Sequence, residues 1–132
     1  MPAQPDYLAI LAATALAWFF GGLYYGTLGK RWLKAARIDP ADAKMTPALV
    51  ITSVVAELIM AWVLSGILAH TGAQGIGGAL ITGILVWAGF MATTVAVNQR
   101  YEGYGWDLTL MDAGHWLGVA LIMSLVLTLW PF

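Results

Sequence analysis

The sequence predicts an all-α membrane protein: four transmembrane helices in a compact bundle, with the N-terminus and C-terminus outside and the basic loops cytoplasmic. Three observations carry this. The 132 residues are 61% hydrophobic and only 10% charged, whereas a soluble domain carries about 25% charge and needs it to cover its surface. Four apolar runs of about 22 residues each match the length that crosses a hydrocarbon core of roughly 30 Å. No strand-length alternation is visible, and lipid admits only helices or closed barrels.

The first run spans about residues 7–29. No Lys or Arg precedes it in Met1–Tyr7, so it lacks the basic leader of a cleavable signal and reads as a retained helix. The loop after it, Lys30 to Thr46, carries Lys30, Arg31, Lys34, Arg37 and Lys44. The Lys34–Arg37 stretch within it reads as a short interfacial helix, stopped by Asp39-Pro40. The second run, about 47–69, opens with Pro47 at the first helical position and Thr46 as N-cap. A Gly-rich turn from His70 to Ile76 leads to the third run, about 77–98. The loop from Gln99 to Asp107 holds Arg100 and Glu102, read as a solvated pair, and precedes the fourth run, about 108–130. The whole chain is one domain.

All six Lys and Arg fall in the first and third loops. The positive-inside rule puts both in the cytoplasm, and the location expected is multi-pass in a cell membrane, the bacterial inner membrane. The partners expected are the lipid bilayer itself and anionic headgroups at Lys30, Arg31, Lys34 and Arg37. A net charge of -1 offers no basic patch for nucleic acid. The absence of Cys excludes thiol chemistry and Cys-based metal sites. Small-residue pairs at Gly22/Gly26 and Gly114/Gly118, and a stripe at Ala88, Ala92 and Ala96, allow close helix approach. Packing within one bundle is the plainer use of them; a homodimer or a larger membrane complex is the sharper one.

Glu57, Asp112 and His115 are the acidic and imidazole side chains well inside the apolar runs. A carboxylate in hydrocarbon costs roughly 2.5–3.5 kcal/mol or more, so each needs a partner, water or a proton. Rise per residue places Glu57 about 15 Å, His115 about 12 Å and Asp112 about 7 Å from the starts of their helices. Tyr24, Tyr25, Thr93, Thr94 and Asn98 fall in the same half, and Ser53 lies one turn from Glu57. A polar layer in the inner half of the bundle follows, with Glu57, Asp112, His115, Tyr24, Tyr25 and Asn98 as the candidate ligand or proton site.

Each has a plainer reading beside the functional one. Asp112 is close enough to its helix start to be stabilised by the dipole and reach interfacial water. His115 can be a neutral core imidazole. Glu57 can be a protonated carboxyl in a structural hydrogen bond. The trio offers two carboxylates and one imidazole to a metal, but four-helix di-metal sites use further carboxylates and two Glu-x-x-His repeats. No metal and no cofactor is expected.

Two stretches, Gly22-Leu-Tyr-Tyr-Gly26-Thr-Leu-Gly29-Lys30-Arg-Trp32 and the segment from Trp87-Ala-Gly-Phe-Met-Ala-Thr through Asn98 and Tyr101-Glu-Gly to Asp112-Ala-Gly-His-Trp116, resemble the small membrane proteins grouped as domain of unknown function 1761. The resemblance implies four helices and no assigned activity. It also implies an aromatic residue, usually Tyr, at the position of His115, and it carries no role for Glu57.

Three functions remain open. The first is binding or transport of a small molecule or cation with a proton-titrating Glu57. The second is an accessory or structural subunit of a larger membrane complex. The third, ranked last, is a membrane-embedded enzyme using the same polar layer.

Overall fold

The computed structural model describes residues 4–132. It contains four helices long and apolar enough to cross a membrane: α1 Tyr7–Ala36, α2 Pro47–Thr71, α3 Gly75–Tyr101 and α4 Trp106–Leu129. A single 3-10 turn, Pro40–Asp42, lies between α1 and α2.

Capping chemistry sets most of the boundaries. Asp6 opens α1 by accepting the Ala9 amide at 3.1 Å, and Thr46 opens α2 by accepting the Leu49 amide at 3.3 Å, with Pro47 in the first turn. Three helices close on the same paired-carbonyl motif with a left-handed residue. Arg37 (φ 58°) ends α1, Gly72 (φ 67°) ends α2 and Gly103 (φ 82°) follows α3. In each, the next amide reaches back five residues: Ile38 to Leu33, Ala73 to Leu68 and Tyr104 to Gln99.

Arg37 is the non-glycine exception, and its side chain supplies the reason. Its guanidinium donates to the Gly103 carbonyl and sits 5.2 Å from the centre of the Tyr104 ring. The left-handed conformation thus ties the end of α1 to the turn between α3 and α4.

The expected end of the first helix at residue 29 is too early, and the separate interfacial helix at Lys34–Arg37 does not exist: α1 runs unbroken to Ala36. The charged run conceals an apolar stripe at helical spacing. Trp32, Ala35 and Ala36 pack with Leu108, Tyr104 and Met111, and Ala35 and Ala36 are buried. The other expected spans agree with the helices to within about three residues, a normal scatter for helix ends. The turn after α2 is tighter than expected because α2 continues through His70 and Thr71.

The last helix is the centre of the bundle. Within their apolar windows α4 is 39% buried, α1 28%, α2 17% and α3 only 6%. α1 and α3 pack along α4, and α2 packs against α1 and α4. The main core joins Ile10, Ala13 and Ala17 of α1, Ala61, Leu64 and Leu68 of α2, and Val119, Met123 and Val126 of α4. Alanines on α1 and α2 let those helices approach a wall of larger side chains on α4. On the α3 side, Gly83 makes the approach: a Cβ there would lie 2.9 Å from Ser124 Oγ and 3.1 Å from the Ala120 carbonyl oxygen.

The outward faces carry large apolar side chains, among them Leu11, Phe19, Ile51, Ile59, Ile81, Leu85 and Phe90. Such a continuous apolar exterior suits a lipid environment. The two glycine pairs differ in use. Gly114 and Gly118 face the rings of Tyr24 and Phe20, whereas nothing lies within 4 Å of where a Cβ would stand on Gly22 or Gly26.

Candidate functional site

The polar residues gather toward the end of the bundle where the Lys and Arg residues lie. Asp112, about 9 Å along α4 from Trp106 by helical rise, accepts three hydrogen bonds. The Tyr25 hydroxyl donates to Oδ1 at 2.7 Å, the Trp32 indole donates to Oδ1 at 2.9 Å, and the Gln99 amide donates to Oδ2 at 2.7 Å. All three donors are neutral, and they come from α1 and α3. The carboxylate is therefore the point where three helices join.

The network continues along α3 and α4. Thr109 donates to Gln99 Oε1 at 2.6 Å. Arg100 Nη2 reaches Thr109 Oγ1 at 2.8 Å, the Tyr104 carbonyl at 2.8 Å and the Gly105 carbonyl at 2.9 Å. The guanidinium carbon lies 3.9 Å from the centre of the Trp106 ring. The expected Arg100–Glu102 pair is thus replaced: carbonyl oxygens of the turn and an aromatic face hold Arg100, because the left-handed Gly103 folds the turn back over it.

Two further side chains grip the α4 backbone. Tyr24 donates to the Met111 carbonyl at 2.7 Å and Trp87 to the Ala113 carbonyl at 2.7 Å. Trp87 begins a π-helical stretch, Trp87–Ala92, within α3. Such stretches frequently accompany functional sites.

His115 is one turn beyond Asp112 and buried, 6% exposed. Aromatic rings enclose it: Trp116 at 4.6 Å between centres, Tyr25 at 4.9 Å, Tyr24 at 5.7 Å and Phe20 stacked at 6.0 Å. Its Nε2 faces Gly21 of α1, where a Cβ would stand 2.9 Å away. Its Nδ1 is buried with no hydrogen-bond partner among the described residues.

Glu57 is the most deeply buried acidic residue, 3% exposed, and Oε1 has no hydrogen-bond partner among the described residues. It shares a face of α2 with Ala61, Leu64 and Leu68, which belong to the main core. Ser53, one turn away, does not serve it; that hydroxyl donates to the Val50 carbonyl at 2.9 Å and accepts the Trp18 indole at 3.0 Å. Glu57 and His115 lie at nearly one depth, about 15 Å and about 14 Å from the starts of α2 and α4 by helical rise. The two helices start at the same end of the bundle and pack on each other.

Of the six expected site residues, Asp112, Tyr25, Tyr24 and His115 form one contiguous cluster, and Glu57 stands apart from their hydrogen bonds. Asn98 is exposed and lines a shallow surface depression of about 300 Å³ with Thr93, Thr94 and Val97, away from the cluster. The adjacent Gln99 takes the place expected of it. Trp32, Gln99, Thr109 and Arg100 are members that the sequence did not single out as site residues. The spacing Thr109-x-x-Asp112 on one helical face was the available signal for the first of these links. No group of three or more His, Asp or Glu residues among those described is placed to hold a metal ion.

The fold and site define a small bundle of four apolar helices, pinned near one end by a carboxylate-centred hydrogen-bond network. The chain belongs to the family described as protein of unknown function (DUF1761), whose model matches residues 8–128. No curated protein and no solved structure matches it.

Proposed function

We propose that the protein is a multi-pass protein of the bacterial inner membrane, with both basic loops cytoplasmic and both termini outside, and that it binds or carries a small cation at an occluded site between α1, α2 and α4. In this reading Glu57 exchanges the cation for a proton and His115 shares the site. The observation that carries it is that two of the buried side-chain atoms without partners, Glu57 Oε1 and His115 Nδ1, lie at one depth in helices that touch. A buried polar atom without a partner costs about 1–3 kcal/mol, a cost that a ligand or proton shared between the two would offset. The asymmetry of the Lys and Arg residues supports the orientation. Exposed Lys30, Arg31, Lys34 and Arg37 are then the contacts to anionic headgroups.

Infrared difference spectroscopy of the protein in bilayers tests this. A carboxylic C=O band that changes between pH 5 and pH 9, shifts with added monovalent cation and disappears in Glu57→Gln is the expected result. A spectrum unaffected by pH, cation and that substitution removes the reading.

The sealed position of Glu57 favours a second reading, an accessory subunit of a larger membrane complex. The clefts of about 510 Å³ and about 300 Å³ on the bundle are lined by other residues. The exposed Gly22/Gly26 face of α1 would then meet a second copy or another subunit. Cross-linking in native membranes from a cysteine at Gly22 or Gly26 distinguishes it: a specific cross-linked partner supports the subunit, and monomer throughout opposes it.

A further inference from the structure

At the end of the bundle opposite the basic loops, a cleft of about 510 Å³ opens between the segment before α1, the end of α2 and the end of α4. Its polar lining is one-sided in charge. Asp6 is its one charged side chain, and the Lys and Arg residues lie at the other end of the bundle. The same cleft is lined by side chains that can accept hydrogen bonds. Thr128 Oγ1 is buried without a partner among the described residues. Ser65 supplies a second hydroxyl. His70 donates from Nδ1 to the Gly66 carbonyl at 2.7 Å, which leaves Nε2 as the second ring nitrogen. The indole of Trp62 and the side chains of Leu68 and Leu127 complete the walls.

We propose that this cleft binds an ammonium group carried on a small apolar body, with Asp6 as counter-charge, Thr128 and His70 as hydrogen-bond acceptors and Trp62 as the aromatic wall. An anion would face Asp6 with no positive side chain to receive it. A neutral molecule would leave Asp6 with only the Ala9 amide as partner and no counter-charge. An ammonium satisfies the carboxylate and donates up to three N–H groups to the acceptors present, and an indole face attracts a cation. This site does not include Glu57, which lies on α2 before Trp62, the first lining residue of that helix, and it stands or fails independently of the proposed function.

Asp6 also caps α1, through Oδ1. Asn caps a helix as well as Asp does, so Asp6→Asn removes the charge and keeps the fold. Benzylammonium, benzyl alcohol and benzoate share one shape and differ in charge. Each is titrated into the full-length protein in dodecyl maltoside micelles, following the indole N–H resonance of Trp62, assigned with Trp62→Phe. Benzylammonium is expected to shift that resonance saturably, at least about fivefold more tightly in wild type than in Asp6→Asn, as for a partly exposed ion pair. Thr128→Val is expected to weaken it by a similar factor, and benzoate to give no saturable shift. Equal affinities for the three probes, an unchanged affinity in Asp6→Asn, or no saturable shift at all overturns the proposal. Competition then separates two sources of the ammonium. Displacement by a short-chain phosphatidylethanolamine at lower concentration than ethylammonium assigns the site to a lipid headgroup, and the reverse order assigns it to a free amine.

Discussion

Gln99 holds Asp112 with one end of its amide and receives Thr109 with the other. The Gln99 nitrogen lies 2.7 Å from Asp112 Oδ2 and its oxygen 2.6 Å from Thr109 Oγ1. Both ends of the amide are therefore assigned, and α3 is locked to α4 across one helical turn. Gln99→Glu replaces the donor with an oxygen facing Asp112, whereas Gln99→Ala only deletes it. Thermal unfolding in detergent should rank wild type above Gln99→Ala above Gln99→Glu, with the alanine variant losing about 1–3 kcal/mol as buried groups are left unpaired. A glutamate variant as stable as wild type would contradict this role for the amide.

Gly21 and Gly22 are neighbours with opposite expectations. A Cβ on Gly21 would stand 2.9 Å from His115 Nε2, while one on Gly22 meets nothing within 4 Å. Gly21→Ala should destabilise by about 1–3 kcal/mol, the usual cost of overpacking. Adding His115→Ala in the same chain should return part of that loss. Gly22→Ala should leave the unfolding midpoint unchanged or raise it slightly through helix propensity. Equal effects of the two single alanines would refute the close approach of α1 to His115.

Glu57 sits among core side chains with an unpartnered oxygen. An apolar residue of similar volume there removes the cost of an unsatisfied buried polar group, about 1–3 kcal/mol. Glu57→Leu should therefore unfold at a higher temperature than wild type while losing the carboxyl infrared band and any response to cation. If Glu57→Leu is instead strongly destabilised, the carboxyl makes structural bonds that outweigh its burial.

Arg37 occupies a backbone conformation that favours glycine, yet its side chain fastens the α3–α4 turn. Arg37→Ala keeps the conformational cost and loses the tether. Arg37→Gly loses the tether but relieves the backbone. Both should fall below wild type, with the glycine variant above the alanine variant by about 1 kcal/mol. Hydrogen exchange at Tyr104 should accelerate in both.

The helices were legible in the sequence because each apolar run is long and its ends carry recognisable caps, as Thr46-Pro47 shows. The last turns of α1 were not. Lys30, Arg31 and Lys34 suggest a loop, and the Trp32, Ala35 and Ala36 stripe gains meaning only when Leu108 is seen to cover it. The polar cluster was half legible. Depth alone placed Asp112, His115 and the two tyrosines together, but depth does not set the facing of a side chain. On α3 the π-helical stretch Trp87–Ala92 changes the rotation of every residue that follows, so Gln99 turns toward Asp112 and Asn98 turns away. Arg100 was misassigned because two of its partners are the Tyr104 and Gly105 carbonyls, which no side-chain pattern reveals.

The central place of α4 also orders the making of the protein. α1 and α2 contact each other, but α3 packs chiefly on α4, and the core needs Val119, Met123 and Val126 from α4. A ribosome that has finished α3 has released a hairpin and a loosely held third helix. Only α4 closes the bundle, so a chain cut short before Trp106 should be surrendered to quality-control proteases rather than accumulate as a smaller fold.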